Sequence, residues 1–240
     1  MISLQQRSYK KELLDRKDIP FDDIKRNMQE LDFINRKLGG HDITLDGIVA
    51  LIKNQMFFNS KLTIVEIGCG GGDNLRAIRN WAERVHLPVK LKGIDINSDC
   101  ITYAVQQKKN RGIQFSVSDY KDFSFEEKPD IIFSSLFCHH FSETELIFML
   151  QWMDRNSQLG FFINDLHRHW LAYYSIKMLT KVFSKSYLVK NDAPLSVQRG
   201  FKRNEWNTIF QKAGINNFDC KWRWAFRWLI TFLHANQESF

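Results

Sequence analysis

From residue 61 onward, short apolar runs alternate along the chain with longer segments in which apolar residues recur at helical spacing. Five runs read as strands, at residues 62–68, 89–96, 113–118, 130–137 and 159–166. The segments between them that read as helices are residues 73–86, 99–110 and 143–156. Such alternation is typical of a parallel sheet with helices on both faces. The pattern therefore predicts an α/β fold with a doubly wound, Rossmann-like sheet.

The end of the chain changes this pattern. A helix predicted at 204–214 is followed by a stretch in which every second residue is aromatic, namely Trp222, Trp224, Phe226 and Trp228. A period of two is the spacing of a strand. We expect two further strands here, paired as an antiparallel hairpin at the far side of the sheet. The sheet would then have seven strands, most of them parallel.

Two other regions depart from the strand–helix alternation. Residues 1–60 read as helices at 21–38 and 44–58, which predicts a helical N-terminal cap on a main domain at 61–240. Residues 167–202 form a long excursion after the fifth strand, and compact domains usually keep such segments for a lid or a binding role. A helix there would place Ala172, Ile176, Leu179 and Phe183 on one face, either packed on the domain or covering an apolar acceptor.

Composition narrows the class of protein. Hydrophobic residues make up 44% of the chain and charged residues 25%, as in an ordinary soluble globular protein. The first residues are polar and do not resemble a secretory signal. The four cysteines form no C-x-x-C pair and no metal-like spacing, so we expect reduced thiols, a cytoplasmic location and no metal. The net charge of +7 is spread along the chain, which favours a generally basic surface over a nucleic-acid site.

A glycine-rich loop follows the first strand of the sheet. The stretch VEIGCGGGDNL (65–75) carries Gly68, Gly70, Gly71 and Gly72 and then opens a helix at Asp73 and Asn74. Absent Cβ atoms allow a ligand to approach the backbone, and a helix N-terminus offers free N–H groups. In a doubly wound sheet this loop lies at the edge where ligands bind.

Acidic residues at successive strand ends indicate which chemical groups the ligand carries. Asp95 ends the second strand, 23 residues after Gly72, where a carboxylate can hold the hydroxyls of a ribose. Asp119 ends the third strand, where it can accept a hydrogen bond from an adenine amino group. Glu66 and Asp73 would repel a pyrophosphate but suit a ligand with a sulfonium and an α-ammonium group. These positions favour S-adenosyl-L-methionine over a dinucleotide.

Four stretches of the sequence resemble the motifs of class I S-adenosylmethionine-dependent methyltransferases, and most of all the small-molecule type of ubiquinone and menaquinone biosynthesis. They are VEIGCGGGDNL, GIDINSDCITYA, SVSDYKDF and PDIIFSSLFCHHFSETE, within residues 60–165. The resemblance implies that the loop residues lie along the methionine part of the cofactor, namely Glu66, Gly68, Cys69, Gly70, Gly72 and Asn74. It implies that Asp95 holds the ribose, Ile96 and Asp119 contact the adenine, Tyr120 supports Asp119, and Leu136 packs near the sulfonium.

Candidates for a base lie after the fourth and fifth strands. Methyl transfer to an oxygen or to an acidic carbon needs a group that accepts the leaving proton. His139 and His140 follow the fourth strand, and Asp165 and His167 end the fifth, all at the carboxyl edge. A structural role for the histidine pair stays open, above all for His140. A metal site built from His139, His167 and Asp165 is not indicated, because nothing fixes their spacing.

The acceptor is expected to be a small, largely apolar or aromatic molecule, lipid-like or phenolic, methylated at oxygen or alternatively at carbon. Arg168, Tyr174 and Arg199 in the excursion, and Asn35 in the cap, are the candidate polar contacts. The alternative is an RNA or protein methyltransferase that uses the basic surface. Enzymes that methylate amino groups of nucleic acids commonly carry a Pro-Pro motif after the fourth strand, where this chain reads SSLFCHH. We therefore expect no specific nucleic-acid partner and at most peripheral contact with a membrane.

Overall fold

The computed structural model describes residues 4–16, 18–53 and 61–235. Its strands are β1 (Leu62–Ile67), β2 (Val89–Asp95), β3 (Gln114–Val117), β4 (Ile131–Ser135), β5 (Gly160–Leu166), β6 (Phe218–Arg223) and β7 (Arg227–Leu233). They form one seven-stranded sheet in the order β3-β2-β1-β4-β5-β7-β6. Strands β1 to β5 are parallel, whereas β7 runs antiparallel to both β5 and β6. This confirms the predicted doubly wound, mostly parallel sheet.

The α-helices of these residues are α1 (Phe21–Lys37), α2 (Gly40–Ile52), α3 (Asp73–Arg84), α4 (Ser98–Gln106), α5 (Glu143–Asn156), α6 (Trp170–Phe183), α7 (Tyr187–Arg199) and α8 (Arg203–Lys212). Several begin where the sequence supplies a cap. Ser142 precedes α5, and its backbone N–H donates to Glu145 Oε2 at 2.8 Å while its hydroxyl accepts from the Glu145 N–H. Such a reciprocal pair satisfies two backbone groups that a helix start leaves free. Within the described ranges, none of these helices has the length and apolar character needed to cross a bilayer.

Two apolar cores lie on the two faces of the sheet, because successive residues of a strand point to opposite sides. In β5, Phe161 packs in the core under α5 and α8, and its neighbour Phe162 packs in the core under α2 and α3. Strand β1 is buried along almost its whole length. Near-continuous burial is typical of a central parallel strand. The carboxyl ends of β1, β2, β4 and β5 therefore meet at one edge of a well-packed sheet.

The structure corrects two local predictions and adds detail to two others. The second helix of the cap begins at Gly40 rather than at residue 44. The break before it is confined to a turn in which Gly39 has a left-handed backbone. The predicted end of this helix, at residues 54–58, lies outside the described residues. The alternating aromatic stretch is not one strand, since the chain turns between β6 and β7 at residues 224–226. The excursion holds two helices, α6 and α7. Of the predicted α6 stripe, Ala172 is buried but Phe183 is exposed.

Candidate active site

The glycine loop after β1 turns sharply at the carboxyl edge of the sheet. Gly68, Gly70 and Gly72 all have positive φ, a conformation that side-chain-bearing residues rarely adopt. A Cβ at Gly68 would lie 2.2 Å from the ring of Phe137, which follows β4. The loop therefore depends on glycine for its backbone conformation and for its packing, and it brings the backbone of β1 against the segment after β4. Cys69 is buried beneath the loop, where burial raises the pKa of its thiol.

Glu66 is fully buried at the end of β1, with one carboxylate oxygen left free. Asn74 Nδ2 donates to Glu66 Oε1 at 2.8 Å, and Thr44 of α2 donates its hydroxyl to Asn74 Oδ1. Oε2 of Glu66 has no hydrogen-bond partner among the described residues. Burial and the nearby carboxylate of Asp73 raise the pKa of Glu66. A buried acceptor without a partner is costly, so this oxygen fits a ligand that brings a donor, such as an α-ammonium group.

Asp95 ends β2 with its carboxylate turned toward the glycine loop. Oδ2 accepts from the backbone N–H of Gly70 at 2.8 Å, and Oδ1 accepts from the N–H of Asn97 at 2.9 Å. Burial raises the pKa of this carboxyl group. The next side chain, Ile96, is 69% exposed. The loop and the end of β2 thus form one unit, with an apolar side chain open beside the acid.

Residues after β3 and β4 lie around this unit. The side chain of Asp119 accepts from the backbone N–H of Lys121 at 3.0 Å and so fixes the short turn after β3. Tyr120 is buried against the rings of Phe137, Phe141 and Trp152, and its hydroxyl has no partner in the described chain. Leu136 has a left-handed backbone with φ of 52°. Tyr120 is therefore part of an aromatic wall behind the site.

His139 and Asp165 form a buried pair at the ends of β4 and β5. His139 Nδ1 lies 2.8 Å from Asp165 Oδ1, and the His139 backbone N–H donates to Asp165 Oδ2 at 3.2 Å. The side chain of Asp165 is fully buried and that of His139 is 3% exposed. An acid bonded to Nδ1 fixes the ring and leaves Nε2 as the atom that can exchange a proton.

Glu12 faces the other nitrogen of the same ring. Its Oε1 lies 3.5 Å from His139 Nε2, and its Oε2 lies 3.8 Å from His140 Nε2. Burial disfavours a charged ring, but the carboxylates of Asp165 and Glu12 raise the pKa of His139 to about 9. His139 is therefore protonated at neutral pH in this arrangement. Sequence reasoning missed Glu12, because it lies far from the other site residues along the chain and belongs to no motif.

Arginines hold the segment that carries Glu12. Arg199 Nε donates to the His139 carbonyl at 3.0 Å and lies 4.0 Å from Glu12 Oε1. Arg7 donates from Nε to the Arg199 carbonyl and from Nη2 to the Phe141 carbonyl. The ligand atoms of Glu12, His139 and His140 lie within 4.8 Å of one another, and these are residue types that can bind a metal. Because the Glu12 carboxylate already lies beside Arg199, His139 and His140, we assign it to ion pairs with these side chains rather than to a metal.

Not every predicted site residue joins this cluster. His140 is half-buried against Glu12 and Asp15. The ring of His167 packs on Trp228, and in the described chain no hydrogen bond or ion pair joins it to His139 or Asp165. Burial lowers the pKa of His167 to about 4, so this ring is neutral.

Two of the four predicted acceptor contacts lie elsewhere in the structure. Arg168 is fully buried and donates to both carboxylate oxygens of Glu205, from Nη2 at 2.7 Å and from Nη1 at 3.0 Å. Its other bonds hold the backbone of residues 4, 5 and 200. Tyr174 is half exposed on the outer face of α6. In contrast, Arg199 and Asn35 both lie at the carboxyl edge.

Asn35 belongs to a buried network between the cap and the end of the sheet. Its Nδ2 donates to Asp73 Oδ2 at 3.1 Å, and its Oδ1 accepts from Arg227 Nη2 at 2.9 Å. His41 Nε2 lies 2.9 Å from the same oxygen of Asp73. Nη1 of Arg227 is buried without a partner in the described chain, and burial lowers the pKa of this guanidinium to about 10. Arg227 is a second residue that the sequence did not single out.

Comparison with known proteins agrees with this picture. Residues 64–158 match the family model described as a methyltransferase domain. No curated protein matches the chain. Several solved structures share the fold at low sequence identity.

Among the structures that cover more than four fifths of this chain are three that were solved with SAM or SAH. The plantazolicin methyltransferase BpumL, solved with a monoazolic desmethylPZN analog and SAH, is 20% identical, with a TM-score of 0.57, over 83% of this chain and 74% of its own. Magnesium protoporphyrin IX methyltransferase (ChlM) from Synechocystis PCC 6803, solved with SAM, is 12% identical, with a TM-score of 0.54, over 84% and 82%. Human N-acetylserotonin methyltransferase, also solved with SAM, is 14% identical, with a TM-score of 0.61, over 88% and 56%.

The chain carries a methyltransferase domain at residues 64–158, and its sheet order and glycine loop agree with the fold of class I S-adenosylmethionine-dependent methyltransferases. It is an enzyme, and its cofactor is S-adenosylmethionine. The residues at the carboxyl edge fit this cofactor, since the unpartnered Glu66 oxygen and the glycine loop offer what an amino-acid moiety needs. The resemblance to the ubiquinone and menaquinone type stays a prediction.

Proposed function

We propose that this methyltransferase transfers a methyl group to an oxygen of a small, largely apolar or aromatic acceptor, with His139 handling the acceptor proton. The observation that carries the proposal is the buried His139–Asp165 pair at the ends of β4 and β5. The pair lies next to Phe137, whose ring packs on Gly68 of the glycine loop. A proton-accepting ring is thus held beside the loop that we assign to the cofactor.

The cofactor side of the site is assigned to residues of three strand ends. S-adenosylmethionine supplies an electrophilic methyl group on its sulfonium. Glu66 and Asn74 would hold the amino-acid part, Asp95 the ribose, and Ile96 with Asp119 the adenine. Gly70 already ties the loop to Asp95, so the two halves of this cradle are positioned before any ligand arrives. Positioning is the main contribution that a protein makes to a displacement of this kind.

The acceptor oxygen is placed at Nε2 of His139, where Glu12 lies in the present arrangement. A carboxylate at that position supports an acceptor with an anionic or acidic oxygen. The pKa of about 9 holds while Glu12 pairs with the ring, so the departure of Glu12 lowers the pKa of His139 and favours the neutral ring that can accept a proton. Proton transfer to this neutral ring is accessible for phenols, enols and carboxylic acids, and unfavourable for simple alcohols.

Entry of the acceptor requires Glu12 to leave His139. Residues 4–16 are held by many polar contacts that must rearrange together, among them the backbone N–H groups of Leu13 and Leu14 on the Asp192 carboxylate and the Ser196 hydroxyl on Glu12. An acceptor with an acidic hydroxyl takes the place of the Glu12 carboxylate at Nε2 of His139. Arg199 keeps its bond to the His139 carbonyl in this exchange.

The walls of the site support an apolar or aromatic acceptor. Phe137 and Phe141 are partly buried and meet edge to face at 4.8 Å between ring centres, in front of the buried Tyr120. Such walls favour flat, apolar ligands oriented by a few polar groups. Two of the structural neighbours are named for a magnesium porphyrin and for N-acetylserotonin, both of which are aromatic molecules. Methylation of an acidic carbon would use the same base and stays the alternative.

The test is turnover of labelled S-adenosylmethionine with an extract of the host, followed by mass spectrometry of the labelled product. We expect a small, apolar O-methylated product, and we expect phenols and carboxylic acids to be methylated faster than alcohols of equal size. His139→Gln should lose turnover by a factor of roughly 10²–10⁴ and keep cofactor affinity. A labelled RNA or protein, or full turnover in that variant, would contradict the proposal.

A further inference from the structure

Helix α6 carries two opposite faces, and only one of them is packed in the described chain. Ala172, Tyr173 and Thr180 point inward, where the first two form a cluster with Val197 of α7. The opposite face is a stripe at four-residue spacing, Trp170, Tyr174, Met178 and Val182, with Leu171 beside it. Exposed fractions are 60% for Trp170, 64% for Met178 and 66% for Val182. A helix of this length is about 20 Å long, so the stripe is a continuous apolar surface.

The stripe extends beyond the helix at both ends. At its start, the ring of Trp170 lies 5.7 Å from His169, which stacks on Phe226 at 5.2 Å, and Phe226 lies 6.2 Å from Trp224. Trp224 is 67% exposed at the tip of the β6–β7 turn. At the other end, Phe183 is 76% exposed. We call this surface, from Trp224 through α6 to Phe183, the apolar stripe.

Positive charge borders the apolar stripe, and negative charge is absent from its stretch of sequence. Lys177, Lys181 and Lys185 are exposed on or directly after α6. Between Asp165 and Asp192 the sequence contains no acidic residue, and the carboxylate that lies at the end of α6 is that of Glu30 in α1, which accepts from the backbone N–H groups of Lys185 and Ser186. An exposed tryptophan with aliphatic side chains and lysines on one helix face is the composition of a helix that lies in the interface of a lipid bilayer. A second copy of the chain is a poorer occupant, because a two-fold contact would bring these lysines together.

We propose that the apolar stripe and its three lysines dock this enzyme on the surface of a bilayer that contains anionic lipid. The aromatic and aliphatic side chains enter the headgroup region, and the lysines contact lipid phosphates. The proposal concerns a surface and does not rest on the chemistry of the acceptor. It is consistent with an apolar acceptor, because α6 follows directly after the strand that carries Asp165.

The test is co-sedimentation of the full chain with vesicles, either of phosphatidylcholine alone or mixed with phosphatidylglycerol. We expect binding to the mixed vesicles that weakens with salt, since exposed charges are screened. Each lysine near an anionic surface is worth about fivefold in partitioning, so Lys177→Glu/Lys181→Glu/Lys185→Glu should reduce binding by at least about 100-fold. The same changes at Lys90, Lys108 and Lys128, which are exposed elsewhere, are the charge-matched control.

The contribution of the apolar side chains to vesicle binding is tested by a second pair of matched variants. Val182→Asp should strongly reduce binding to mixed vesicles, whereas Val105→Asp should not, because Val105 is equally exposed at 65% on another helix, α4. Both changes are at exposed positions, and their melting temperatures show that the fold is kept. Equal binding of both valine variants, or an equal loss in both lysine triples, would overturn the proposal. The proposal would also be overturned if the unchanged protein bound no vesicles and instead formed dimers in sedimentation velocity, and if Val182→Asp abolished those dimers.

Discussion

His139 Nδ1 and Asp165 Oδ1 lie 2.8 Å apart at the ends of two neighbouring parallel strands, and both side chains are buried. The pairing has a topological cause: β4 and β5 are adjacent and parallel, so their carboxyl ends deliver residues to the same place. The acid fixes the ring so that only Nε2 faces the position given to the acceptor. Orientation of the ring is therefore a function of Asp165 that can be separated from proton transfer itself.

Asp165→Asn should reduce turnover while leaving the cofactor site intact. An amide at this position no longer stabilises the protonated ring and can favour the wrong tautomer of His139. We expect a loss in kcat of about 10²-fold or more, within the range that a positioned base contributes. Turnover and affinity for S-adenosylhomocysteine, measured on the same sample, distinguish this from a folding defect. Unchanged turnover would exclude the pair from the reaction.

Much of this arrangement was accessible from the sequence, for a physical reason. Apolar periodicity determines strands and helices locally, and parallel topology then brings Glu66, Asp95, His139 and Asp165 to one edge. Glu12 and Arg227 were not accessible, because their positions depend on how the two ends of the chain pack against the sheet. Hydrophobic pattern gives no information on such contacts. Arg168 shows the converse, since an arginine in a suggestive segment proved to be a structural clamp with Glu205.

Glu12→Gln tests the link between the N-terminal segment and the base. The carboxylate of Glu12 raises the pKa of His139, so its removal should lower that pKa. The acidic limb of the pH profile of kcat/KM, which reports groups of the free enzyme, should then move to lower pH. Ser196→Ala is the matched control, because it removes the hydroxyl that donates to Glu12 at 2.7 Å without changing any charge. A limb that moves equally in both variants would mean that packing, not charge, is responsible.

Gly68→Ala should abolish binding of S-adenosylhomocysteine or destabilise the loop, whereas Gly112→Ala should do neither. Both glycines have positive φ, 68° and 83°, so both variants carry a similar backbone strain of roughly 1 kcal/mol. Only at Gly68 does the added Cβ meet a neighbour, the Phe137 ring at 2.2 Å, while at Gly112 nothing lies within 4 Å. Calorimetric titration and melting temperatures of the two variants give the comparison. Equal behaviour would show that backbone strain, and not the close approach, limits the loop.

Asp95→Ala should weaken S-adenosylhomocysteine binding by about 1–3 kcal/mol, as expected when a charged hydrogen bond to the ribose is lost. Asp95 also accepts from the Gly70 N–H, so the loop itself can shift in this variant. Asp95→Asn retains an acceptor for Gly70 and isolates the contribution of the charge. Calorimetry on both variants, with NAD as a ligand that should not bind, completes the measurement. Unchanged affinity in the alanine variant would refute the ribose assignment.

The last prediction concerns stability and pH. The pKa of His139 is raised in the folded protein to about 9 from an ordinary value of 6.5, so the folded state holds a proton that the unfolded chain releases. Its contribution to the free energy of unfolding is therefore complete below pH 6.5 and is lost as the pH rises through 9. His167 behaves oppositely, because its pKa is lowered to about 4 and its contribution is lost as the pH falls from 6.5 toward 4. The two windows do not overlap.

Urea unfolding across both windows separates the two histidines. His139→Gln should flatten the decline between pH 6.5 and 9 and leave the acidic side unchanged, whereas His167→Gln should do the reverse. The pKa values of the four buried thiols are raised, so they add their own loss of stability only as the pH passes the ordinary thiol value of about 8.5, where the unfolded chain releases those protons. The contribution of His139 is therefore measured between pH 6.5 and about 8. If the decline in that range persists in His139→Gln, then His139 is not held protonated between Asp165 and Glu12.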